Sequence, residues 1–184
     1  AALPQSYTLS EETAALTVPV ILGGDLLPVD TLATASWYGL SVADTSISGG
    51  GYWLNDSSTG GITNNGASAS NYNVHFDANT NTLTLNNANL TKASMQGAIL
   101  FVYAANTTDF TINLIGDNVL ESSNIYGIYT KKTNMTITGS GSLTVSGSQY
   151  GIAEFDEQPS NSTFTFTIAG GTVTATGGIA GTRL

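Results

Sequence analysis

Short runs that alternate apolar and polar residues recur along the second half of the chain. Leu83-Thr84-Leu85, Phe110-Thr111-Ile112, Met135-Thr136-Ile137 and Phe164-Thr165-Phe166 each do so, and each is followed by Asn, Gly or Ser and then a second apolar pair. Alternation with a period of two buries one face of a strand and leaves the other in water. A second series keeps step: Gly97-Ala98-Ile99, Tyr126-Gly127-Ile128, Tyr150-Gly151-Ile152 and Gly177-Gly178-Ile179. Strands and Gly/Asn turns repeating at roughly 25–30 residues predict a solenoid in which each coil hydrogen-bonds to the next. No segment of helical length shows a 3.6-residue apolar period, so the chain reads as all-β.

The rest of the chain is organised differently. Residues 1–35 read as an extended N-terminal arm, and residues 36–184 as a single domain of cap plus solenoid. In the arm, Leu16-Thr-Val-Pro-Val-Ile-Leu22 is an apolar run that Gly23-Gly24-Asp25 breaks, and Leu26-Leu27-Pro28-Val29 follows. Pro19 has no N–H for a ladder, which confines that run to an edge or an arm. Between Trp37 and Tyr72, short strand candidates alternate with Gly-rich punctuation, and Trp37 and Trp53 are expected to be buried there. Asn73–Phe76 and Thr82–Leu85 form a hairpin around the polar turn Asp77-Ala-Asn-Thr-Asn81. In the coils, glycines such as Gly116, Gly139 and Gly171 turn the corners, and Tyr126 and Tyr150 are expected to stack between adjacent coils.

Composition narrows the function. Of 184 residues only four are basic and 13 acidic, for a net charge of −9. Such a chain repels phosphate backbones, which excludes nucleic acid as a partner. There is no cysteine, hence neither a disulfide nor a thiolate metal site. No apolar run approaches the ~20 residues of a membrane helix. Charged residues make up 9% of the chain against the usual quarter, so solubility rests on Thr, Ser, Asn and Gly, as in exported surface proteins. The start Ala1-Ala-Leu-Pro reads as a mature end after signal cleavage, and the expected location is secreted or cell-surface. Asn-x-Ser/Thr occurs at Asn55, Asn89, Asn106, Asn134 and Asn161, and these sites matter only in a host that glycosylates.

The phrase Asn73-Val-His-Phe-Asp-Ala-Asn-Thr-Asn-Thr-Leu-Thr-Leu-Asn-Asn-Ala-Asn-Leu90, with the Gly-Ile corners and Leu-Thr-Val strands after it, resembles a group of secreted bacterial β-helix surface proteins. Their fold is similar to that of pectate lyases, and many are labelled carbohydrate-binding. The resemblance covers about residues 37–180. It implies a right-handed parallel β-helix of about four coils with an N-terminal β cap.

It also raises a pectin-cleaving enzyme, which would need clustered Asp ligands for calcium and a basic side chain. The sole Arg, Arg183, stands at the chain end, and Lys131-Lys132 lie in a turn with no Asp cluster beside them. A hydrolase needs facing carboxylates, but Asp109, Asp117 and Asp156 fall at different coil positions. His75, the only histidine, alternates with Val74 and Phe76 on the outer face of the hairpin. The expectation is therefore no enzyme and no catalytic residue.

Asp77, Asn79 and Asn81 have the spacing that opens a calcium loop, although Thr82 and Ala88 stand where that loop needs Gly and Glu. An Asx turn explains the same residues. Calcium is the one cofactor the residues admit. Glu154-Phe-Asp-Glu157 reads as a solvated acidic loop.

Two functional readings remain. Tyr126, Tyr129 and Tyr150 make an aromatic strip on which polysaccharide can pack, or a structural ladder. The alternative is assembly, because a solenoid has two open ends with unpaired backbone groups. The run Thr172–Leu184 shows no capping element, and the apolar residues Leu16, Val18, Val20, Ile21 and Leu22 can add as a strand to another copy. The expected function is a structural protein that self-associates into a fibre or surface layer; a glycan-binding adhesin module is the alternative.

Overall fold

A computed structural model describes residues 21–22, 25–26, 37–93, 97–156 and 164–183. The chain divides into two compact units, Ala1–Thr34 and Ala35–Leu184. In the first unit, β1 (Ile21–Leu22) pairs antiparallel with β2 (Asp25–Leu26), Ile21 opposite Leu26. Leu16, Val18 and Val20 lie outside the described residues.

The second unit opens with β3 (Trp37–Val42), β4 (Thr45–Ile47), β5 (Gly51–Asp56), β6 (Gly61–Thr63), β7 (Val74–Asp77) and β8 (Thr82–Asn86). It continues with β9 (Asn89–Leu90), β10 (Ala98–Ile115), β11 (Asp117–Glu121), β12 (Tyr126–Gly139) and β13 (Ser142–Ser146). The last strands are β14 (Tyr150–Asp156), β15 (Phe166–Ile168), β16 (Thr172–Thr176) and β17 (Ile179–Arg183). No helix occurs among the described residues, hence none long and apolar enough to cross a membrane.

Stacked parallel strands form a β-solenoid with three walls. One wall holds β8, the second half of β10, the second half of β12, and β15. The next holds β9, β11, β13 and β16. The third holds the first half of β10, the first half of β12, β14 and β17. The long strands β10 and β12 bend round a corner between walls, where their register shifts between Tyr103 and Thr108. The chain makes about three turns, rather than about four coils: four rungs on a wall are separated by three coil-to-coil steps.

Inward residues stack into apolar ladders. Leu83, Ile112 and Ile137 lie in register on the first wall, and Leu100, Ile128 and Ile152 on the third. All six are 2% exposed or less. Each such side chain contributes about 1.5–3 kcal/mol of burial, an upper bound because unfolded chains are partly collapsed. Three registers differ from the sequence alignment. Leu83 pairs with Ile112 and Met135 with Phe166, each two residues on from the aligned triplet. Leu100 rather than Ile99 continues the Ile128 ladder. A two-residue slip keeps every inward side chain inward, so alternation alone does not register it.

Corners impose backbone demands. Gly139 has φ 107, and an added Cβ would stand 2.3 Å from the carbonyl oxygen of Leu114. Asn118, 1% exposed, ties three coils together. Its Oδ1 accepts the Ala88 N–H at 2.9 Å, and its Nδ2 donates to Ile115 O at 3.2 Å and to Ser142 O at 3.0 Å. That arrangement satisfies buried backbone groups that a corner would otherwise strand.

The first coil is closed on every wall. β7 pairs antiparallel with β8, and β3 with the first half of β10. On the remaining wall, the Gly60 carbonyl accepts from the Thr91 and Lys92 N–H groups, both at 2.9 Å, and Asn55 Oδ1 accepts from the Asn89 N–H. The turn joining β3 to β4, Ala43-Asp44, has both φ angles positive (46 and 66), as a tight two-residue hairpin requires.

Candidate functional site

Three regions carry chemistry beyond packing: two aromatic columns, two acidic turns and the terminal rung of the solenoid. The larger aromatic column stands on the third wall. Tyr126 pairs in register with Tyr150, and their rings stack at 6.0 Å with 13° between planes. Tyr129 stacks on Tyr126 at 4.9 Å and on Phe101 at 5.3 Å; Phe101 continues to Tyr103 at 6.4 Å. The Lys131 ammonium lies 5.0 Å from the centre of the Tyr103 ring, a cation–π contact. Thus Tyr126, Tyr129 and Tyr150 come together, and Phe101 and Tyr103 extend their row. Near-parallel stacking engages ring faces with one another, whereas a sugar ring packs on a free face. Burial, and next the Tyr150 phenol, push the Tyr126 pKa up.

A smaller column stands on the cap. His75 stacks on Tyr52 at 4.3 Å with 10° between planes, and Tyr72 meets His75 edge-on at 5.7 Å. The outer-face position expected for His75 is the one it occupies, opposite Thr84 and Tyr52.

Asp77 closes its own turn. Its Oδ1 accepts the Asn79 N–H and its Oδ2 the Thr80 hydroxyl, both at 2.9 Å. These bonds, the Asn79 one first, hold its carboxyl below the ordinary range. Asp77 and Asn79 thus meet through the Asn79 backbone, and Asn81 takes a positive φ of 51 at the end of the turn. The Asp56 turn repeats the device. Asp56 accepts from the Ser58 hydroxyl, the Ser58 N–H and the Thr59 hydroxyl, and Ser58 is the first cause of its lowered pKa. The shared pattern is Asp-x-Ser/Asn-Thr. Among the described residues no group of three or more His, Cys, Asp or Glu is placed to hold a metal ion.

The other carboxylates are dispersed. Asp109 accepts from Asn134 Nδ2 at 2.9 Å, and Asp117 from the Ser142 hydroxyl at 2.7 Å. The Asp156 backbone lies in register with that of Arg183 in the β14–β17 ladder. Glu154 corrects the loop expectation: residues 154–156 continue β14, and the Glu154 carboxylate accepts the hydroxyl of the buried Thr130. Glu157 and Asn161 lie outside the described residues. Of the Asn-x-Ser/Thr sites, Asn55 and Asn134 have both ends of their amides engaged in internal hydrogen bonds.

The terminal rung breaks the burial pattern. Ile168 stands one rung beyond Ile137 and is 49% exposed; Ile179 stands beyond Ile152 and is 52% exposed. Phe166, Val173 and Ala175 on the same rung are only partly buried, although their partners Met135, Leu143 and Val145 are buried. Among the described residues, β15, β16 and β17 each pair on one side only.

Trp53 departs from expectation in another way. It is half-buried, packs against the core, and lines an open groove beside β4. The Gly49-Gly50-Gly51 run before it was the available signal, since glycines admit a large ring close to backbone. Comparison of the chain with protein-family models, with curated proteins and with solved structures gives no match, so the reading of this protein rests on its own geometry.

Proposed function

We propose that this is a non-enzymatic extracellular structural protein whose copies associate through the N-terminal unit and the solenoid edges into a fibre or surface layer. Such a role accords with the secreted bacterial β-helix proteins it resembles. The observation that carries the reading is the difference between the first and the last coil among the described residues. Every strand of the first coil is covered by cap elements, while the last rung keeps its core isoleucines about half in water. Unpaired strand edges next to exposed core residues favour addition of another strand.

A second copy supplies that strand from its N-terminal unit, because its own first coil is already paired. The run Leu16–Leu22 has suitable composition for a donated strand. A donor from one copy on the end of the next is a head-to-tail contact, and such contacts grow filaments when they do not close into rings.

The test is sedimentation velocity with negative-stain microscopy on the full chain and on a chain lacking residues 1–35. The full chain is expected to form elongated assemblies and the shortened chain to remain monomeric. Monodisperse monomers in both samples would overturn the proposal.

A further inference from the structure

The tyrosines of the third wall are placed for a reaction that packing does not use. Tyr126 and Tyr150 are ladder partners on adjacent coils, so their side chains leave the backbone at matched positions. With the rings 6.0 Å apart and 13° between planes, each ring carbon lies one coil step from its counterpart. Burial, and then the Tyr150 phenol, raise the Tyr126 pKa, in keeping with phenol ends that lie close together. Both residues are partly exposed. The rest of the column directs oxidation toward this pair. Phe101 has no phenol proton to release, and the Lys131 ammonium, 5.0 Å from the centre of the Tyr103 ring, makes removal of an electron from that ring less favourable. Tyr129 stacks on Tyr126 at 4.9 Å, close enough to pass a radical formed on it to Tyr126. The chain has no cysteine to be oxidised in their place or to supply a disulfide.

We propose that Tyr126 and Tyr150 form an oxidative cross-linking site, at which a haem peroxidase with hydrogen peroxide joins them as dityrosine and staples the coil of β12 to that of β14. Each phenol gives up one electron and one proton, and the two electrons and two protons reduce one hydrogen peroxide to two waters. The two phenoxyl radicals then couple through a new bond between their ortho carbons. Each of those carbons releases its hydrogen as a proton while its oxygen takes one up, which restores both phenols. The chain therefore loses two hydrogen atoms and nothing else. The cap supplies a contrast. Tyr52 and Tyr72 stand 5.4 Å apart, but their planes are tilted by 57°, and the ladder partner of Tyr52 is His75, whose ring stacks on it. That pair lacks the matched positions of Tyr126 and Tyr150. The bond lies within one chain, so the inference does not rest on the assembly reading.

The experiment treats the full chain, Tyr150→Phe and Tyr129→Phe with a haem peroxidase and limiting hydrogen peroxide. Products are separated under denaturing conditions, digested and mapped by tandem mass spectrometry. Both substitutions keep the stacking ring and remove only the phenol oxygen. The unsubstituted chain is expected to give a monomer lighter by two hydrogen atoms, with blue dityrosine emission and a linked peptide pair holding Tyr126 and Tyr150. Tyr129→Phe is expected to keep that product, and Tyr150→Phe to lose most of the linked monomer. The stapled monomer is expected to melt about 5–10 °C higher, as for a cross-link that closes a loop of this length. Any of four results would overturn the inference. They are no linked monomer or linked dimers alone, a link at Tyr52 and Tyr72 in place of this one, as much linked monomer from Tyr150→Phe as from the unsubstituted chain, or an unchanged melting midpoint. Cross-linking is read by mass and assembly by sedimentation, so each can fail alone.

Discussion

Replacing Ile168 and Ile179 together with aspartate separates assembly from folding. Full burial of an isoleucine side chain is worth about 1.5–3 kcal/mol. These two are 49% and 52% exposed, so covering what remains yields about 1 kcal/mol each. Losing both contributions raises the dissociation constant of a head-to-tail contact by about thirtyfold. The introduced carboxylates, desolvated without partners, raise it further. In the monomer the same positions face water, and the change in folding stability stays within about 1 kcal/mol, or about 2–4 °C in the melting midpoint for a chain of this size. Ile137→Asp supplies the contrast. It lies one rung inward on the same ladder at 0% exposure, and an unpaired charge there costs more than about 4 kcal/mol. Sedimentation velocity reads assembly and calorimetry reads folding. The reasoning is refuted by a double variant that assembles with wild-type affinity, or by one that unfolds as readily as Ile137→Asp.

Asn118→Ala leaves the buried Ala88 N–H and the Ser142 carbonyl without their partner; a loss of about 2–4 kcal/mol is expected in denaturant unfolding, and a loss below about 1 kcal/mol would show that water replaces the amide. Gly127→Ala puts a methyl 2.4 Å from Val145 Cγ2 and 2.6 Å from Gly151 O, so the melting midpoint falls as expected for about 1–3 kcal/mol of overpacking. Asp56 and Asp77 have folded pKa values below their unfolded ones. Their contribution is therefore present above the unfolded value near pH 4 and disappears as pH falls through the folded one. Thermal stability is expected to be level from neutral pH to about pH 5 and to decline below about pH 4, less steeply in Asp77→Asn; an identical acid slope in that variant would show that the turn carries none of it.

The inner and outer faces of the coils were legible because the side-chain period is two and the inward residues are large and aliphatic. Register was less so. Phe110 aligned correctly with Met135, but Leu83 and Phe164 aligned two residues away from their true partners, a slip that leaves the facing pattern intact. Ala98, Ile99 and Leu100 are all buried, and in a run without alternation nothing in the sequence says which residue continues the ladder. The stacking of Tyr126 on Tyr150 followed from their common place before a Gly-Ile corner. The Trp53 groove did not, since it depends on how a short edge strand, a glycine corner and β6 meet in space. Nor did the exposure of Ile168 and Ile179, whose sequence context matches that of the buried Ile137 and Ile152.

The three-coil reach of Asn118 has a dynamic consequence. In a solenoid each coil gains most of its stability from its neighbours, so opening begins where a neighbour is missing. Here the coil of β15, β16 and β17 has one described neighbour, whereas the coils bridged by the Asn118 amide must part together. Fraying should therefore run in one direction, entering at the last coil and halting at the Ala88–Asn118–Ser142 clasp. Amide hydrogen exchange in the monomer is expected to show protection rising from β17 toward β8, with a step at that clasp. Docking a strand at the last coil would then act as a brake on unwinding, and each copy added would slow exchange in the copy that receives it.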